Sequence, residues 1–258
     1  MLSRLIKRVF NHLARRQYMP KIEVKRSTKL LKLGSGYGGW TFELSDDLHD
    51  SVIVSAGLGE DGSFDVEFAS RFDAKVIIVD PTPRAILHFE AIQNRIGQPA
   101  ELAYRDGGKL PVRSYDLRGI TEGSLILERS ALWIEQTTLK FFSPPNPNHV
   151  SHSIDNFQNG YSQATPYIDV PAITLEGLLD KYGLKSIPLL KLDIEGAEIE
   201  VIRHMLNGPI RPRQILVELH CTSDHSKRNV EDIDRALRGS GYLCCHFDGV
   251  ANALYVRR

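Results

Sequence analysis

Two short apolar runs, at 52–56 and 76–79, frame a stretch that reads as strand, glycine turn, helix and strand. Neither run alternates strictly with polar residues, which is the pattern of parallel strands covered on both faces. Between them Gly57, Gly59 and Gly62 stand in the spacing G-x-G-x-x-G, and Asp80 follows the second run. Residues 51–83 are therefore predicted to form one βαβ unit and half of a nucleotide-cofactor site, with Asp80 placed to accept hydrogen bonds from a ribose. Further on the period changes to that of helices. Ile86, Phe89 and Ile92 predict a helix over 84–96, and Leu175, Leu178 and Leu179 one over 174–181. Ile199, Ile202 and Met205 or Leu206 mark a third, entered at Gly196 after a strand that ends at Asp193. A strand at 214–219, a helix at 227–238 and two strands at 242–247 and 251–256 follow. The connection Asp248-Gly249-Val250 is short enough to make the last two an antiparallel hairpin. Short strands are also expected at 40–44, 110–115, 124–127 and 138–142.

The first residues differ from the rest in charge. Leu2, Leu5, Ile6, Val9, Phe10 and Leu13 line one face of a helix surrounded by Arg4, Lys7, Arg8 and Arg15. Residues 1–32 hold ten Lys and Arg against Glu23 alone, so the remainder is acidic although the whole chain has zero formal net charge. The chain thus divides into a basic arm with a glycine-rich turn at 1–39 and a domain at 40–258. The arm is expected to dock on the domain, to self-associate, or to make peripheral contact with an anionic membrane through residues 2–16. No interleaved aromatics accompany its charge, so nucleic acid is not an expected partner. No apolar run nears the roughly 18 residues that span a bilayer. Cys221, Cys244 and Cys245 are too few and too badly spaced for a disulfide framework, which fits a reducing, cytoplasmic setting. They do not make a zinc site with His220 and His246 either, because neighbours on a strand point to opposite faces. The turn at 34–39 lacks the G-K-[ST] of a phosphate loop and reads as a pocket edge or a linker.

Charge also bears on the ligand. Glu60 and Asp61 sit inside the glycine turn, where they would repel a pyrophosphate by on the order of 1 kcal/mol each. S-adenosylmethionine has no phosphate and carries a sulfonium and an ammonium, which suit an acidic turn. The other reading is that both acids only complement the dipole of the following helix. Beyond the unit, the run Pro144-Pro145-Asn146-Pro147-Asn148 must be loop, and His149 and His152 after it are metal ligands or part of a polar substrate-facing segment.

AGLGEDGSFDVEFASRF, VDPTP, FFSPPNPNHVSHS, LLKLDIEGAEIEVI and QILVELH occur in this order. Together they resemble the FkbM family of S-adenosylmethionine-dependent methyltransferases, from about Trp40 to the C-terminus. The resemblance implies an α/β class I methyltransferase fold, Rossmann-like, with a mostly parallel sheet and a C-terminal antiparallel hairpin. It also implies methyl transfer, most often to a hydroxyl of a sugar or secondary metabolite, so the expected partner is a small-molecule or glycan acceptor. Two positions depart from the general glycine motif: Ser55 stands where an acid is usual, and Asp61 where a third glycine is. Ligands of open α/β sheets sit outside the carboxyl ends of the strands, which gathers Gly57, Gly59, Asp80, Asp193, Glu195 and His220 around one crevice. Gly57 and Gly59 are expected to let the backbone approach the cofactor, and Glu60, Asp61 or Asp193 to meet its ammonium. Asp193 and Glu195 fall at the reacting centre, with His220 the candidate base for a substrate hydroxyl. No metal is assigned, although a divalent cation held by Asp193 with Glu218 or His220 would acidify the same hydroxyl. The competing classes are an NAD-linked oxidoreductase, separated by titration with both cofactors, and a cofactor-binding module without turnover.

Overall fold

The computed structural model describes residues 18–105, 107–144, 154, 162–221 and 223–258. The amphipathic segment 2–16 and the segment with His149 and His152 lie outside the described residues.

The strands are β1 (Leu30–Leu33), β2 (Trp40–Glu43), β3 (Val52–Ala56), β4 (Lys75–Val79), β5 (Leu125–Glu128), β6 (Ala131–Leu132), β7 (Thr138–Phe142), β8 (Tyr167–Ile173), β9 (Leu189–Leu192), β10 (Gln214–Glu218), β11 (Tyr242–Phe247) and β12 (Asn252–Arg257). The helices are α1 (Ser63–Phe72), α2 (Pro83–Gln93), α3 (Leu175–Lys181), α4 (Glu198–Asn207) and α5 (Asp224–Gly239). One seven-stranded sheet in the order β11-β12-β10-β9-β3-β4-β5 organises them. Strands β10, β9, β3, β4 and β5 are parallel; β12 runs antiparallel to β10 and to β11. This is the mostly parallel α/β sheet with a terminal hairpin that the sequence predicts.

Successive residues of each central strand enter two separate cores, the signature of a sheet buried on both faces. Ile53, Val76, Ile78, Leu189 and Leu216 pack with α1, α2 and the β1–β2 hairpin. Val54, Ile77, Leu190, Ile215 and Val217 pack with α3, α4 and α5. Cys245 and Cys244 fall into the first and second of these cores respectively, as strand alternation requires.

Three features depart from the pattern reading. Residues 110–115 are not a strand: Pro111 has no N–H for a ladder, and Val112–Ser114 forms a 3₁₀ turn. The small sheet β6-β8-β7 includes β8, whose Pro171 hides a strand in which Val170, Ala172 and Ile173 are buried. The division between residues 39 and 40 runs through an antiparallel hairpin, in which Leu33 pairs with Trp40. The Phe42 ring lies edge-on to Phe64, Phe68 and Phe72 at 6.2, 5.5 and 5.8 Å, so the hairpin is fixed to α1.

Candidate active site

A cavity of about 590 Å³ opens at the carboxyl ends of β3, β4, β9 and β10. Gly57, Gly59, Glu60, Asp61, Asp80, Asp193, Glu195 and His220 all line it. The structure therefore brings together every residue the sequence marks, but it gives several of them different tasks.

The glycine turn is tightly built. Gly57 has φ +91°, and a Cβ there would lie 1.9 Å from the Asp193 carbonyl oxygen, so only glycine lets β3 and β9 end this close together. Asp80, nearly buried, is the brace of this turn. Its Oδ2 accepts from the N–H groups of Leu58 (2.9 Å) and Gly59 (3.0 Å), and its Oδ1 from the Thr82 N–H (2.9 Å) and hydroxyl (2.6 Å). These four bonds show that Asp80 holds the turn, whatever it also offers a ligand from the cavity wall. Asp61 accepts from the Ser35 hydroxyl (2.7 Å) and the Ser63 N–H (3.1 Å), tying the loop between β1 and β2 to the start of α1. Glu60 pairs with Arg84 and lies 3.6 Å from the Lys109 ammonium. Its charge is compensated, which removes it from the argument that the turn repels phosphate.

The ends of β9 and β10 are different. The His220 Nδ1 lies 3.3 Å from Glu198, and its Nε2 lies 3.6 Å from Glu195 and 4.0 Å from Glu218. Burial alone would lower the imidazole pKa, but Glu198, Glu218 and Glu195 together outweigh it and push it up to about 10. The acidic neighbours thus favour the imidazolium form of His220. The Glu218 carboxyl is itself pushed up, by burial and by Asp193 beside it, against the pull of His220. Glu195 occupies the left-handed region at φ +54°, a conformation costly for a side-chain-bearing residue and common at functional sites. Among the described residues no three His, Cys, Asp or Glu side chains are disposed to hold a metal ion.

Three contributors escaped the sequence reading. Glu198, 1% exposed, accepts from the N–H groups of Ile194 (2.9 Å) and Gly196 (3.0 Å), shaping the loop that carries Glu195 and charging His220. Lys191, 3% exposed in β9, donates to the Gly57 carbonyl at 2.5 Å and lies 5.4 Å from the Trp40 ring centre. A lysine inside an apolar run was the available signal, since a buried ammonium must have partners. The third is Tyr37, which lines the cavity from the loop between β1 and β2.

Fold and pocket together define a Rossmann-like α/β protein with a cavity at its strand ends. The profile of the methyltransferase FkbM domain matches residues 51–244, well over half of the chain. The chain belongs to the FkbM methyltransferase family. No curated protein sequence matches it. The crystal structure of the antibiotic-resistance methyltransferase Kmr is similar at 14% identity with a TM-score of 0.36, over 88% of this chain and 100% of that one. That likeness is too slight to argue from.

Proposed function

We propose that this methyltransferase takes S-adenosylmethionine as its methyl donor and methylates a hydroxyl oxygen of a small-molecule or glycan acceptor. The carrying observation is the gathering of Glu195, Glu198 and Glu218 around one imidazole, at a cavity that Asp193 and the glycine turn also line. The cations around this cavity are already engaged: Arg84 and Lys109 with Glu60, and Lys191 with the Gly57 carbonyl. The carboxylate-rich wall thus suits a cationic cofactor better than a pyrophosphate, which favours it over NAD. When bound, that cofactor supplies an activated methyl group.

The chain's own residues do the rest. Gly57 and Gly59 present bare backbone, and Asp80 keeps it in shape. Asp193 and Glu195 orient the acceptor hydroxyl. Glu195 takes the hydroxyl proton, while His220, 3.6 Å from it and biased toward its protonated form, balances the charge of the carboxylates around it. Described helices offer no segment long and apolar enough to cross a membrane. Contact with an anionic membrane surface through 2–16 belongs to the same proposal only as a property of that basic sequence.

The test is transfer of labelled methyl groups from S-adenosylmethionine to a panel of hydroxylated acceptors. Glu195→Gln is expected to reduce turnover by about 100-fold or more while leaving cofactor affinity within about threefold. Turnover unchanged in Glu195→Gln would remove it as the base, and a wild type that binds the cofactor without transferring label would favour a binding module.

A further inference from the structure

Tyr37 is exposed to an extent unusual for an aromatic side chain in a pocket wall. It is 66% exposed and so leaves much of its apolar surface in water. Among the described residues its hydroxyl makes no hydrogen bond and its ring meets no aromatic ring or cation. The loop nevertheless holds it firmly. The Ser35 hydroxyl accepts from the N–H groups of Tyr37 (3.2 Å) and Gly38 (2.8 Å), and the Ser35 N–H donates to the Ser63 hydroxyl at 2.8 Å. A Cβ on Gly38 would come within 2.5 Å of the Asp61 carboxyl carbon, and one on Gly39 within 2.3 Å of the Ser35 carbonyl oxygen, so this hairpin turn admits no bulk beside the tyrosine. The far end of the ring rests on Gly108, where a Cβ would be 2.9 Å from Cζ. An aromatic face is thus fixed between two lips of the cavity with neither ring nor hydroxyl engaged by the protein.

The surroundings indicate what that face receives. Asp61, Asp193, Glu195 and Glu218 line the same cavity as the ring, and the phenol pKa is raised, first by partial enclosure and then by these carboxyl groups, Asp193 foremost. A negative ring face beside carboxylates is a site for a cation. Trp40, the other aromatic of this wall, already has the Lys191 ammonium at 5.4 Å from its ring centre and is 5% exposed, so it is not open in the same way.

We propose that Tyr37 is a binding residue for the sulfonium of the methyl donor, its ring supplying the cation–π face and the carboxylates behind it the compensating charge. This rests on the cofactor reading above, and it adds a residue that would distinguish the charged donor from its neutral product. The two ligands to compare are S-adenosylmethionine and S-adenosylhomocysteine, which differ only in the methyl group and its sulfonium charge.

Calorimetric titration of wild type, Tyr37→Phe and Tyr37→Leu with both ligands tests it. Tyr37→Leu is expected to weaken the donor by about fivefold and the thioether product by less than about twofold, while Tyr37→Phe keeps both near wild type. Because the side chain is exposed, both variants are expected to fold, which an unchanged thermal transition checks. Equal weakening of the two ligands, or of neither, would overturn the proposal and leave the cofactor reading standing. A wild type that binds neither ligand would sink both.

Discussion

The glycine turn after β3 and the paired ends of β9 and β10 both bring carboxylates to one cavity, yet they use them in opposite ways. At the turn, Asp80 and Asp61 accept hydrogen bonds from the backbone and hydroxyls around them, and Glu60 is paired with Arg84. At the strand ends, Glu195, Glu198 and Glu218 crowd one histidine, and although Glu198 also braces its loop, the crowding shifts proton affinities. Carboxylates that serve as braces read in the sequence like carboxylates that serve chemistry. Their partners separate the two, and that difference supports the proposal of chemistry at β9 and β10.

The most severe way to break the turn is Gly57→Ala. A methyl group would meet the Asp193 carbonyl at 1.9 Å in a residue held at φ +91°, so both regions must move apart. A loss of more than about 3 kcal/mol in denaturant unfolding is expected, together with loss of cofactor binding. Near wild-type stability would show that the two strand ends are not locked together. Next in size is Asp80→Ala, which strips four hydrogen bonds and is expected to cost about 2 kcal/mol without any ligand present. A residue reserved for a ribose would instead leave the ligand-free protein unchanged.

Much of this architecture is legible in the sequence, for reasons particular to each element. The βαβ unit shows because its strands are doubly buried and its turn needs glycine at 57. The terminal hairpin shows because three residues cannot span a parallel crossover. The rest is hidden by chemistry that pattern does not carry. Pro171 masks β8, and Leu110, Val112 and Tyr115 mimic strand spacing in a segment that turns after Pro111. His220 is readable as a site residue, but its protonation depends on Glu198, twenty-two positions upstream and brought to it only by the fold. The same holds for Glu60, whose compensation by Arg84 and Lys109 is invisible in the turn itself.

The strand-end cluster predicts a milder effect that depends on pH. Both Glu218 and His220 bind protons more tightly folded than unfolded, with pKa values raised from 4.5 to about 9 and from 6.5 to about 10. Their stabilisation is complete below the unfolded values and is lost as pH climbs through the folded ones. Unfolding free energy is therefore expected to fall as pH rises above about 4.5, where Glu218 begins to ionise in the unfolded chain, and to go on falling toward the raised folded-state values. Glu218→Gln, which cannot ionise, is expected to flatten that fall, and an unaltered slope would contradict the protonation assigned to the cluster. Smallest of all is Glu60→Gln: a compensated, partly exposed charge is expected to change stability by less than about 0.5 kcal/mol and cofactor affinity by less than about threefold. A large loss there would return the choice of cofactor to the turn.

The central claim is that this FkbM methyltransferase holds S-adenosylmethionine between a braced glycine turn and an acidic strand-end cluster. Side-by-side calorimetric titration of the wild-type chain with S-adenosylmethionine and NAD tests it most directly. Saturable binding of S-adenosylmethionine with no heat from NAD is the predicted result, and binding of NAD without S-adenosylmethionine would contradict the account.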